Sequence, residues 1–213
     1  MTIADIAFAS VLALSAILAA ILVSRARGEA RRYVQFACAL YGALALADLF
    51  ATAQATAQAQ MLTASVALIV MSLAPVALAL AFAVSFEGPP PAVIAAFALV
   101  LACLAGVASA MTGAQFIAMA VLFASVCTIL TFAVRRWRAA SSSAIQTLVC
   151  GFALLGGAAA DMTHGLEAQT SLALFSAAAL LGAALACAKR SSLAVEEPAL
   201  QPSNVILLVR RER

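Results

Sequence analysis

Apolar residues run along this chain in long blocks, and short clusters of polar, basic or proline-rich sequence separate them. The blocks predict seven spans: Ile3 to Val23, Tyr33 to Ala53, Met61 to Phe86, Ala92 to Ala110, Ala114 to Val134, Ala144 to Ala160 and Leu172 to Ala188. Each holds roughly 17–25 residues, enough to cross about 30 Å of hydrocarbon at about 1.5 Å per helical residue. In lipid the backbone has no water to bond, so such spans are helices. Their alternation is too poor for a β-barrel. Glu87-Gly88-Pro89-Pro90-Pro91 ends a helix, because successive prolines remove donors and fix φ. Met111-Thr112-Gly113 predicts a tight turn. Between spans two and three the unit Ala-Thr-Ala-Gln repeats from Ala51 to Gln58. It predicts a continuing helix, with Gln54 stacked on Gln58 and Thr52 on Thr56.

Composition makes the reading firmer. Of 213 residues, 66% are apolar and 10% charged, where soluble domains are nearer half and a quarter. A soluble fold of this length could not hide so much apolar surface. The expectation is an all-α polytopic membrane protein, a seven-transmembrane-helix bundle over residues 1–190 with a short cytoplasmic tail at 191–213. Alanine forms about a quarter of the chain. Small residues recur four apart at Ala16 and Ala20, Ala43 and Ala47, Gly106 and Ala110, and Gly182 and Ala186, a spacing that lets helix backbones approach closely.

Charge adds orientation. The twelve Lys and Arg fall in three clusters: Arg25, Arg27, Arg31 and Arg32; Arg135, Arg136 and Arg138; and Lys189, Arg190, Arg210, Arg211 and Arg213. Basic residues near span ends stay in the cytoplasm. With seven spans and the N-terminus outside, all twelve lie inside, beside anionic headgroups. The C-terminus is then cytoplasmic, and the expected location is the bacterial inner membrane. Span one lacks a preceding positive charge and is followed by Arg25 and Arg27, so it reads as an anchor and not a cleaved leader. The net charge of +3 is topology and points to no nucleic acid.

The remaining polar residues are the candidate chemistry. Asp48 lies about 22 Å from the inner edge of span two. An ionised carboxylate at that depth is costly unless paired or hydrated, and so leans functional. Tyr41 shares its face two turns earlier. At the outer end of span six stand Asp161, His164 and Glu167, at spacings of three; His164 is the sole histidine, the residue type whose unperturbed imidazole suits pH sensing. Asp48, Asp161, His164 and Glu167 are expected to line one extracytoplasmic pocket for a cation, a proton or a small polar ligand. Pro75 interrupts the bonding of span three near Met71. Trp137, between Arg136 and Arg138, reads as an interfacial anchor.

No cofactor is expected. One histidine cannot ligate a bis-histidine haem, and the one lysine, Lys189, lies at a membrane edge, too shallow for a retinal Schiff base. Cys38, Cys103, Cys127, Cys150 and Cys187 all fall within spans and read as small packing residues, with no metal or disulfide pattern. The tail after Arg190 contains Pro198 and Pro202, then Val205 to Val209 with basic flanks, an apolar run that suits strand addition or the membrane surface.

Ser72-Leu-Ala-Pro75-Val-Ala-Leu-Ala-Leu-Ala-Phe82-Ala-Val-Ser-Phe86-Glu-Gly88 resembles the third helix of the seven-helix sensor regions fused to bacterial histidine kinases and diguanylate cyclases, with its central proline and terminal Phe…Gly. The outside start and span number are similar, up to about Ala188. The resemblance implies an environmental sensor. The chain carries no output domain of that family, so the expected function is a non-enzymatic sensory or partner-binding module. Its basic residues Arg25, Arg27, Arg31, Arg32, Arg135, Arg136 and Arg138 face lipid headgroups or a protein partner. The alternative is a small transporter or channel using Asp48. An intramembrane lipid enzyme would need more clustered His, Asp or Glu. The oligomeric state is not legible.

Overall fold

The computed structural model describes residues 3–24, 26, 28–54, 56–86, 88, 90–136 and 176–188. Among them are six α-helices: α1 (Ile3–Ser24), α2 (Glu29–Gln54), α3 (Ala57–Phe86), α4 (Ala92–Thr112), α5 (Gln115–Arg136) and α6 (Ser176–Ala188). The fold of the described residues is all-α. Three helices are long and apolar enough to cross a membrane: Glu29–Gln54, Ala57–Ser85 and Ala92–Thr112. The apolar stretches Phe8–Ser24 of α1, Phe116–Phe132 of α5 and Ser176–Ala188 are shorter. The span expected at Ala144 to Ala160 lies outside the described residues, as do Trp137, the first four residues of the last span and the tail.

The chain breaks where backbone chemistry demands it. Gly28 has φ 104° and Gly88 has φ 103°, angles that a side chain resists. Pro91 caps α4, and its carbonyl receives the N–H groups of Ile94 (2.9 Å) and Ala95 (3.2 Å). Gly113 closes α4 in the left-handed conformation at φ 69°, the usual glycine device at a helix end. The helix therefore runs through Met111 and Thr112, two residues past the expected boundary.

One expectation is overturned. The Ala-Thr-Ala-Gln repeat is not one helix: α2 stops at Gln54 and α3 begins at Ala57. Gln54 and Gln58 sit on different helices, as do Thr52 and Thr56. The cause is Thr56. Its hydroxyl accepts the Ala59 N–H at 3.2 Å, and its carbonyl accepts the Gln60 N–H at 3.1 Å. That is an N-cap, and threonine there outcompetes continuation of the preceding helix.

Short connections make successive helices antiparallel. Each contacts the next from α1 to α5, and α5 also packs on α3. The α3 helix is thus the centre, touching α2, α4 and α5, and runs on through the buried Pro75. Ala179, Leu180 and Ala183 of α6 join the same core.

The interior is built of small residues. Alanine supplies more than half of the buried apolar positions. Gly106 marks the closest approach: a Cβ there would meet Ser72 Oγ and lie 2.7 Å from Ile69 Cα, so α4 and α3 cross almost backbone to backbone. Ala16 is buried and Gly106 is buried, as small-residue packing requires, whereas Ala43 faces outward. The exterior reverses the usual order. Leu14, Ile17, Ile21, Leu46, Phe50, Val93, Phe97, Val100 and Leu104 are all more than half exposed.

Candidate functional site

Burial along α2 follows one stripe. Ala30, Val34, Ala37, Tyr41, Leu44 and Ala51 are buried, with Cys38 and Ala45 widening the stripe beside them; the steps are of four and three, with one position left over. That position is Asp48. A repeat averaging 3.5 residues keeps one seam turned toward neighbouring helices. Asp48 therefore belongs to the bundle-facing seam, one heptad or about 10 Å above Tyr41. The residue is half-buried, its Oδ2 atom is shielded from solvent, and it takes part in a polar interaction.

The surroundings of Asp48 tie three helices together. Thr63 Oγ1 of α3 lies 3.0 Å from the carbonyl oxygen of Ala47 in α2, and 3.0 Å from that of Ala59 in its own helix. One hydroxyl thus donates across the α2–α3 seam at the residue beside Asp48. Further down, the Tyr41 hydroxyl, fully buried, is hydrogen-bonded with the Ser176 side chain. This bond joins α2 to the start of α6. The rim is polar but outward-facing: Gln54, Gln58 and Gln60 are exposed, and Thr52 bonds back to the Leu49 carbonyl at 2.8 Å. Asp161, His164 and Glu167 lie outside the described residues. Of the four residues expected to share a pocket, the structure describes Asp48.

The basic residues gather at the other end. Antiparallel hairpins bring the α1–α2 turn, the α3–α4 turn and the C-terminus of α5 to one end of the bundle, and Asp48 lies toward the opposite one. Arg31 is part of the turn itself: its guanidinium donates to the Ala26 carbonyl at 3.3 Å, a favoured use of arginine beside a helix C-terminus. Arg32 and Arg135 are exposed. Arg25, Arg27 and Arg138 lie outside the described residues. Arg136 ends α5, and its side chain is likewise outside them.

A second feature was not anticipated from sequence. A cleft of about 320 Å³ opens between α3, α4 and α5. Its walls are Val76, Ala79, Leu80 and Ala83; Ala98, Leu101 and Ala102; and Val121, Ala124, Ser125, Thr128 and Phe132. The two hydroxyls are already used, Ser125 donating to the Val121 carbonyl at 2.9 Å and Thr128 to the Ala124 carbonyl at 2.8 Å. The cleft therefore offers apolar surface. Alanine on three successive helices, at 79 and 83, 98 and 102, and 124, leaves the space.

No family model, curated protein or solved structure matches the chain.

Proposed function

We propose that the chain is a seven-span protein of the bacterial inner membrane, N-terminus outside and C-terminus cytoplasmic, acting as a sensory or partner-binding module without catalysis of its own. The observation that carries this reading is the half-buried Asp48 on a seam otherwise formed by buried apolar residues. A carboxylate there costs a few kcal/mol in lipid unless its charge has a use or a partner. Asp161, His164 and Glu167 complete an outward pocket around it in this proposal. Gain or loss of one proton or cation at Asp48 changes the charge of the α2 seam by one unit. Thr63 couples that seam to α3, and Tyr41 with Ser176 couples it to α6. The response reaches the opposite end, where Arg25, Arg27, Arg31, Arg32, Arg135, Arg136 and Arg138 meet headgroups or a protein partner.

Two features support the membrane part of the reading. Small residues inside and large apolar residues outside suit a protein in hydrocarbon, where packing and not water exclusion holds helices together. The basic end suits the cytoplasmic side.

The alternative is a small transporter or channel, favoured by the same seam carboxylate, since ionisable groups turned into a bundle mark ion pathways. Two measurements divide the readings. Mild-detergent extraction of the full chain recovers a stoichiometric partner under the sensory reading, and Arg32→Gln with Arg135→Gln reduces that recovery. Cation or proton flux in proteoliposomes that vanishes in Asp48→Asn, with no partner recovered, contradicts it and supports transport.

A further inference from the structure

The α3–α4–α5 cleft lies outside the Asp48 seam, and of the residues near it only Arg135 enters the scheme above. Its mouth is on the outer surface, since Leu101, Ala124 and Thr128 in its walls are exposed. The α4 helix contacts α5 less extensively than it contacts α3. The α4–α5 turn is held shut by Ser109, whose buried hydroxyl accepts the Ala118 N–H at 3.0 Å. The cleft begins beyond that clasp and runs along α5 from Val121 to Phe132, about 16 Å at the helical rise. It is a long apolar slot open on one side, at the small end of ligand cavities.

The exposed stripe of α5 adds a cation to the slot. Ala124, Thr128, Thr131 and Arg135 are all exposed, in steps of four, three and four, so they share one face. The stripe leads from the rim of the slot to Arg135, about 10 Å beyond Thr128 along the helix axis. The apolar slot and the cation thus align along one helix, with the cation at the bundle end that also carries Arg32. From this alignment we infer that the cleft is a binding site for an anionic phospholipid, one acyl chain lying in the slot and the phosphate at Arg135. An apolar slot alone would take any alkyl chain; the cation at its end selects a negative headgroup. Arginine suits that role because its planar fork bonds two phosphate oxygens at once.

The site rests on α3–α5 crossing the bilayer and not on Asp48, nor on which way the bundle faces. The test titrates the purified full chain, in mild detergent, with phosphatidylglycerol or phosphatidylcholine and reads bound lipid by native mass spectrometry. Wild type retains one phosphatidylglycerol in preference to phosphatidylcholine. Arg135→Gln lowers phosphatidylglycerol retention about fivefold, the effect of one basic residue at a membrane surface, and leaves phosphatidylcholine unchanged. Ala124→Phe, which fills the slot from its exposed rim, lowers retention of both. Equal retention of the two lipids by wild type, or an Ala124→Phe protein that holds lipid as before, overturns the site. A second measurement needs no variant: phosphatidylglycerol with a photoreactive group midway along one chain labels α5 between Val121 and Phe132. Labelling that instead spreads along the outward face of α4 overturns the site. Asp48→Asn retains lipid as wild type does, so failure of the Asp48 scheme and failure of this site are read separately.

Discussion

Helices α3 and α4 are equally apolar, yet they occupy opposite positions. More than half of the apolar window of α3 is buried, against about a fifth of that of α4. Hydropathy alone does not distinguish them. The difference is in size and placement: α4 turns Ala95, Ala102, Gly106 and Ser109 inward and Val93, Phe97, Val100 and Leu104 outward. In water such an arrangement would be upside down, since large apolar side chains gain most from burial. In hydrocarbon burial brings no transfer gain, and the interior is chosen for close backbone approach. The contrast teaches that along α4 the small residues, not the most hydrophobic ones, mark the inside, whereas the central α3 also buries Leu78 and Phe82.

The sharpest way to break the contrast is at Gly106. Gly106→Leu forces a side chain into Ser72 and the Ile69 backbone, where no flexible neighbour can yield. Overpacking of this kind costs about 3 kcal/mol, and the expected outcome is loss of the α3–α4 contact, read as a large drop in resistance to SDS unfolding. The next comparison pairs Phe82 with Phe97. Phe82 is 1% exposed in α3 and Phe97 is 67% exposed in α4. Phe82→Ala leaves a cavity of roughly 100 Å³, worth about 2 kcal/mol from the cavity contribution alone. Phe97→Ala changes stability by less than about 0.5 kcal/mol, as at an uninvolved surface. Equal losses at the two sites would erase the distinction between the helices. The smallest expected effect is at Thr56: Thr56→Ala removes the cap of α3 and costs about 1 kcal/mol, with the start of α3 exchanging amide hydrogens faster while α4 is unchanged.

Much of the helical framework was legible because its boundaries are local. Pro89 to Pro91, Gly88 and Gly113 stop helices through their own backbone limits, and the start of α4 at Ala92 follows from residues alone. The repeat at Ala51 to Gln58 misled because a four-residue period suggests helix continuity, while the hydroxyl of one threonine ends it. The capping signal was present at Thr56 and Ala59, but a cap shows in sequence only against a change of periodicity, and the alanine-rich flanks offer none. Of the candidate site, the pairing of Tyr41 with Asp48 was readable, since seven residues return to one face. That this face is the buried one was not, because alanine stands both inside, at Ala37 and Ala45, and outside, at Ala39 and Ala43. The cleft was illegible for a related reason: it is an absence of side chains produced where three helices meet. Asp161, His164 and Glu167, with Arg25, Arg27 and Arg138, fall outside the described residues.

The claim beneath all of this is that the large apolar faces meet lipid. Spin labels at Phe97→Cys and Leu104→Cys, in reconstituted protein whose own cysteines are replaced by alanine, report it directly. Both labels should collide often with oxygen, which concentrates in hydrocarbon, and rarely with a water-soluble nickel chelate. Ready collision with the nickel chelate at both positions would mean that α4 turns its large side chains to water, and the membrane account would be wrong.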